Sequence, residues 1–89
     1  MARRRRQYTL KLEYLDQPVI VKMREPDGKT YRKLRSEARK EDGNMDNWAM
    51  LEAYQAQVNL DGEDIAILDC GLGLTTDIFS ENERFLAEG

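Results

Sequence analysis

Histidine is absent from this 89-residue chain, and cysteine occurs once, at Cys70. An intramolecular disulfide is therefore excluded, and the imidazole and thiolate sets that hold zinc or haem cannot be assembled. No cofactor and no metal are expected. No apolar run approaches the ~18–20 residues of a membrane span. Large aliphatic and aromatic core formers are also scarce. Leu, Ile, Val and Phe together make 19 of the 89 residues, near the level at which disorder competes with folding. A chain this short buries a modest share of its surface, so one small domain is expected, gaining from a partner or from self-association. A lone cysteine without a disulfide fits a reducing, cytoplasmic setting.

Charge is plentiful and unevenly placed. Residues 1–40 hold 13 Lys and Arg against 5 Asp and Glu, a net of +8, whereas residues 41–89 hold 1 against 12, a net of −11. Such a split speaks to partners and association more than to fold. Either the halves attract each other, in the folded monomer or between protomers, or the chain faces an external charged ligand. Arg3, Arg4, Arg5 and Arg6 form a basic arm over residues 1–6, with nothing apolar to anchor it, and it is expected to be flexible. The segment after it alternates polar and apolar residues instead of forming an apolar export core, so no export signal is expected.

Tyr8, Leu10, Leu12 and Tyr14 fall on one side of a period-2 pattern, with Thr9, Lys11 and Glu13 on the other, which predicts a half-buried strand. Turn residues at Leu15–Pro18 lead into a second alternation, Val19, Val21 and Met23 against Ile20, Lys22 and Arg24. A β-hairpin follows, and it needs a helix or partner against its apolar face. Pro26, Asp27 and Gly28 stop the strand, and Asp27 or Thr30 can cap a basic helix with a thin stripe of Tyr31, Leu34 and Ala38. Arg32, Arg35 and Arg39 lie on its other faces. Asp46 or Asn47 caps a second helix whose stripe reads Trp48, Leu51, Tyr54 and Val58. Asp61 caps a short helix over 62–69, with a strand through Ile65–Leu68 as the competing assignment. Gly71 and Gly73 read as a flexible connection. Thr75 or Thr76, or later Ser80 in a capping box, starts a last helix with Ile78, Phe79, Phe85 and Leu86 inward. Residues 7–89 are thus expected to form a single α+β domain, an N-terminal β-hairpin followed by three or four short α-helices.

Catalytic patterns are missing. Counting from Asp61, the twelfth position of an EF-hand loop is Leu72, not the bidentate Glu such a site requires. Gly71 and Gly73 lack the Lys-Ser/Thr of a phosphate loop. Cys70 has no base to activate it and lies beside Asp69, so it is expected to pack as a small apolar residue. Ser36 and Ser80 likewise lack a base. An enzyme is not expected.

One ordered resemblance gives this reading a direction. The strand-to-Pro segment Val21–Pro26 (VKMREP), the Asp27-Gly28-Lys29 step and the basic Tyr31–Leu34 (YRKL) are followed by Leu51–Val58, Leu60–Ile65 (LDGEDI) and Thr76–Leu86. This order resembles the small tail assembly chaperones of Mu-like and P2-like contractile-tailed phages. The resemblance implies a protein-interaction factor in the host-cell cytoplasm that masks apolar helical segments of a long tape-measure protein. A groove lined by Trp48, Leu51, Tyr54, Val58, Ile78 and Phe85 is the candidate partner-binding site. Two alternatives stand beside it. The acidic half could act as a nucleic-acid mimic that inhibits a host enzyme or nucleoprotein complex. Alternatively, Arg3, Arg4, Arg5, Arg6, Arg32, Arg35 and Arg39 could contact nucleic acid.

Overall fold

The structure, a computed structural model, describes residues 5–40 and 46–88, with the side chains of 38–40 outside the description. Four strands and three α-helices follow in the order β1 (Gln7–Tyr14), β2 (Gln17–Arg24), α1 (Gly28–Lys40), α2 (Asn47–Ala53), β3 (Gln57–Leu60), β4 (Glu63–Ile65) and α3 (Leu72–Glu88), with a 3₁₀ turn at Ile67–Asp69 before α3. The strands form one antiparallel sheet in the order β1-β2-β3-β4. The fold is α+β.

The predicted hairpin is present in full. All eight residues of β1 pair with β2, from Gln7 opposite Arg24 to Tyr14 opposite Gln17. Its two-residue turn places Leu15 and Asp16 at φ 51° and 64°, the doubly positive geometry that matches the twist of the strands. The period-2 pattern then sorts the faces. Leu10, Val21, Val58 and Ile65 lie in one cross-strand row, and Leu12, Val19 and Leu60 in the next. Helices α2 and α3 cover this face, and the core runs from Leu10, Val19, Val21 and Met23 to Met50, Leu51, Leu74 and Ile78. No described element covers the opposite face, where Thr9, Lys11, Glu13, Ile20, Lys22, Gln57 and Asp64 are exposed.

The second helix is shorter than its apolar spacing predicts. Asp46 caps it by accepting from the backbone N–H groups of Trp48 and Ala49 at 2.9 and 3.1 Å. It ends in a Schellman motif, in which Ala56 N–H bonds the Leu51 carbonyl and Gln55 N–H bonds the Glu52 carbonyl, at 2.9 and 3.0 Å. Gln55 occupies the left-handed position at φ 50°. Val58 therefore leaves the helical stripe of Trp48, Leu51 and Tyr54 and sits in β3 instead. Asp61 does not cap a helix. With Gly62 it makes the turn of a second hairpin, at φ 50° and 86°, and β4 and the 3₁₀ turn replace the expected helix over 62–69. Of the competing strand Ile65–Leu68, only Ile65 is in a strand.

The last helix begins at Leu72, ahead of Thr75, Thr76 and Ser80. Gly73 is therefore inside its first turn and is no hinge. A Cβ built there would stand 2.5 Å from the Tyr14 hydroxyl, so the tyrosine side chain would have to shift to admit one. Ile78 is fully buried, and Phe79, Phe85 and Leu86 are half-buried against the core.

Candidate functional site

The six residues expected to line a partner groove fall mostly inside the domain. Leu51, Tyr54, Val58 and Ile78 belong to the buried core, packed between sheet and helices. Trp48 is half-buried, and its indole Nε1–H donates to the Cys70 carbonyl at 3.0 Å, tying α2 to the segment before α3. Phe85 stacks on Tyr8 with centroids 4.4 Å apart. These side chains are brought together, but as the core itself. The apolar face of so short a helix is used up by the sheet beneath it.

A buried polar cluster closes this core at the α3 end. Asn82 is 2 % exposed, and the Tyr8 hydroxyl donates to its side-chain oxygen. Burial pushes the Tyr8 phenol well above its usual range, with Tyr54 adding to the effect and Arg6 opposing it. The Tyr54 phenol is also raised by burial, against a lowering contact with the Asn82 side chain. Both phenols thus stay protonated near neutrality, and that of Tyr8 serves as a donor. Cys70 is similar: burial first, then Asp69, raises its thiol pKa, and its Sγ lies 3.5 Å from the Ala66 carbonyl. A buried thiol held protonated is a poor nucleophile.

Charge, by contrast, is displayed. Helix α1 is capped by Asp27, which accepts the Thr30 N–H at 2.7 Å, and it buries only Leu34 among residues 28–37. Lys29, Arg32, Lys33 and Arg35 are exposed along it, and Arg35 lies 5.9 Å over the Tyr31 ring. The bonds from Thr30 hold the Asp27 carboxyl below its ordinary value, helped by the nearby charges of Arg5 and Lys29. Arg5, from the chain's start, thus lies close to the first turn of α1. Arg6 is differently employed. It pairs with Glu25 at 2.8 Å, lies over the Tyr8 and Phe85 rings at 5.6 and 5.3 Å, and accepts the Glu25 N–H on its carbonyl. Arg6, the last residue of the arm expected to be flexible, thus makes contacts with the hairpin and Phe85. Arg3 and Arg4 lie outside the described residues. Arg39 lies on α1, with its side chain outside the description.

Among the described residues the ion pairs are Arg6–Glu25 and Glu81–Arg84. Each joins residues of the same half of the chain. The basic and acidic halves are therefore not stitched together by ion pairs there, and Asp61, Glu63, Asp64, Asp77 and Glu83 are exposed. The sequence reading missed two further features. One is the uncovered outer face of the sheet, which includes a cleft of about 370 Å³ lined by Thr9, Lys22, Arg24, Gln55 and Gln57 among others. The other is the edge of β1 that no described strand pairs, beside a groove of about 380 Å³ shared with α3. Strand alternation marks a face but not whether a neighbour covers it.

No protein-family model, no curated protein and no solved structure matches this chain.

Proposed function

We propose that this chain is a non-enzymatic binding protein whose basic half engages nucleic acid. The observation that carries the reading is the row of exposed cations Lys29, Arg32, Lys33 and Arg35 on α1, with Arg5 near its capping Asp27, free of ion pairs to the acidic half among the described residues. A helix that buries one residue among its described side chains and shows cations on its other faces is poorly explained by packing. Phosphates suit it, because guanidinium groups bind them bidentately and counterion release drives association. Neutralising about four phosphates of a single strand gives a slope of log K against log salt near −3. The uncovered cationic surface carries no base-reading module, so binding is expected to be sequence-tolerant, with Kd on the order of 10⁻⁴–10⁻⁶ M at physiological salt. The test is titration of a fluorescent single-stranded oligonucleotide across a salt series, with Arg32→Glu/Arg35→Glu as comparison. The double variant should bind more weakly and with a shallower salt slope. Equal binding by both proteins removes the reading.

A second reading follows the resemblance to tail assembly chaperones. Its support in this structure is the uncovered sheet face, where Ile20 is 40 % exposed. On this reading an amphipathic segment of a long helical client lies across that face, with Ile20, Pro18 and Gln57 beneath it, and not in a groove around Trp48. Co-expression with such a client and recovery of a complex that Ile20→Lys abolishes supports it. A complex untouched by Ile20→Lys, or none at all, rejects it.

A further inference from the structure

We infer that two copies of this chain associate by antiparallel pairing of their β1 strands, which makes one continuous sheet across a two-fold axis at Leu10. This is independent of the nucleic-acid reading. In the hairpin, the Glu25 N–H bonds the Arg6 carbonyl, and Arg6 faces Glu25 by the same register that sets Tyr8 opposite Met23. Hydrogen-bonded pairs alternate along an antiparallel ladder. The even-numbered residues of β1 therefore bond β2, and Gln7, Thr9, Lys11 and Glu13 turn their N–H and C=O groups to the free edge.

That edge carries the charges of Lys11 and Glu13, of opposite sign, but lacks the other usual protections. It is eight residues long and in unbroken register with β2, without proline or bulge. The opposite edge, β4, has three residues, of which Glu63 and Asp64 are acidic, the short and charged form that discourages pairing.

The occupant follows from the pattern of β1 itself. Residues directly opposite in an antiparallel pair share a face, so self-pairing is centred on Thr9, Leu10, Lys11 or Leu12 to keep the strand engaged, and centring on Thr9 bonds three residue pairs of β1 against the four of Leu10. Centring on Lys11 sets that lysine against its own copy, which is unfavourable. Centring on Leu12 engages only Lys11 with Glu13 through the backbone. Centring on Leu10 engages Gln7 with Glu13 and Thr9 with Lys11, twice each, for up to about eight backbone bonds. On the other face it sets Tyr8 against Leu12 and Leu10 against Leu10. No like charges stand directly opposite. Helix α3 runs antiparallel to β1, with Gly73 beside Tyr14 and Phe85 beside Tyr8. The two-fold axis thus also runs the two α3 helices in opposite directions, turning the Asp77 end of one flank toward the Arg84 end of the other.

Sedimentation equilibrium gives the mass and dissociation constant of the full chain, and amide exchange by NMR at high and low protein concentration locates the contact. The expected result is a dimer in which the N–H groups of Gln7, Thr9, Lys11 and Glu13 exchange slowly when concentrated and quickly when diluted. Thr9 is exposed and faces the second copy's Lys11, so Thr9→Glu should tighten the dimer and Thr9→Lys weaken it, each by roughly fivefold through two cross-strand charge contacts. A monomer at every concentration overturns the inference. So does a dimer in which Thr9 and Lys11 exchange as fast as in the monomer, or one whose dissociation constant ignores both Thr9 substitutions.

Discussion

Gly73 and Tyr14 offer the sharpest test of how the sheet meets its helices. In isolation, Gly73→Ala in a helix should stabilise by about 1 kcal/mol, because alanine loses less backbone freedom on folding. Here the new Cβ would lie 2.5 Å from the Tyr14 hydroxyl and 3.3 Å from its Cζ. Overfilling of this kind typically costs ~1–3 kcal/mol, since Tyr14 is half-buried beside the hairpin turn and its ring must swing aside. The balance predicts a net loss of about 1 kcal/mol, or ~4–8 °C in Tm for a domain of this size. Tyr14→Phe removes the offending oxygen and leaves ring carbons at 3.3 and 3.4 Å, a gap that a shift of a few tenths of an ångström opens. In that background Gly73→Ala should be neutral or stabilising by up to ~1 kcal/mol. Urea denaturation of all four proteins closes the cycle, with an expected coupling of about 1–2 kcal/mol. Identical effects of Gly73→Ala in both backgrounds, within ~0.5 kcal/mol, would refute the contact and restore a hinge.

Three other perturbations follow from the backbone and the caps. Gln55 holds a left-handed position that glycine adopts without strain, so Gln55→Gly should raise stability by roughly 0.5–1 kcal/mol in thermal denaturation. The first hairpin turn places two non-glycine residues at positive φ. Replacing Leu15 by Asn and Asp16 by Gly should therefore stabilise the domain by about 1 kcal/mol without altering β1–β2 pairing, as judged by NMR cross-strand contacts. Asp27 has a folded pKa below its ordinary 3.8. Its contribution is therefore complete above that value and fades as pH falls through the folded pKa. Asp27→Asn should flatten the loss of α1 helicity seen by NMR between neutral pH and the acid limb.

The residues explain which features could be read in advance. Tyr8, Leu10, Leu12 and Tyr14 alternate too regularly to be helical, and Asp27 and Asp46 cap the helices the sequence assigns to them. Local chemistry suffices for such elements. The second hairpin was hidden by coincidence, because Val58 falls four residues after Tyr54 and prolongs a helical spacing that ends at Ala53. Asp61-Gly62 carried the contrary signal, since that pair favours a two-residue turn between strands. Gly73 and Asn82 were beyond local reading. The first lies against a tyrosine far away in the chain, and the second sits between Glu81 and Glu83, in a run that looks like a solvated helix face. The groove expected around Trp48 failed for a related reason. Apolar spacing identifies a face that must be covered, and here the protein's own sheet covers it.

Titration of a single-stranded oligonucleotide across a salt series, with the intact chain and Arg32→Glu/Arg35→Glu, tests the proposed function most directly. The account predicts measurable binding at low salt, a log–log slope near −3, and a flatter slope with weaker binding in the double variant. An intact chain that shows no binding at low salt, or binds with a slope unchanged by reversing both arginines, contradicts it.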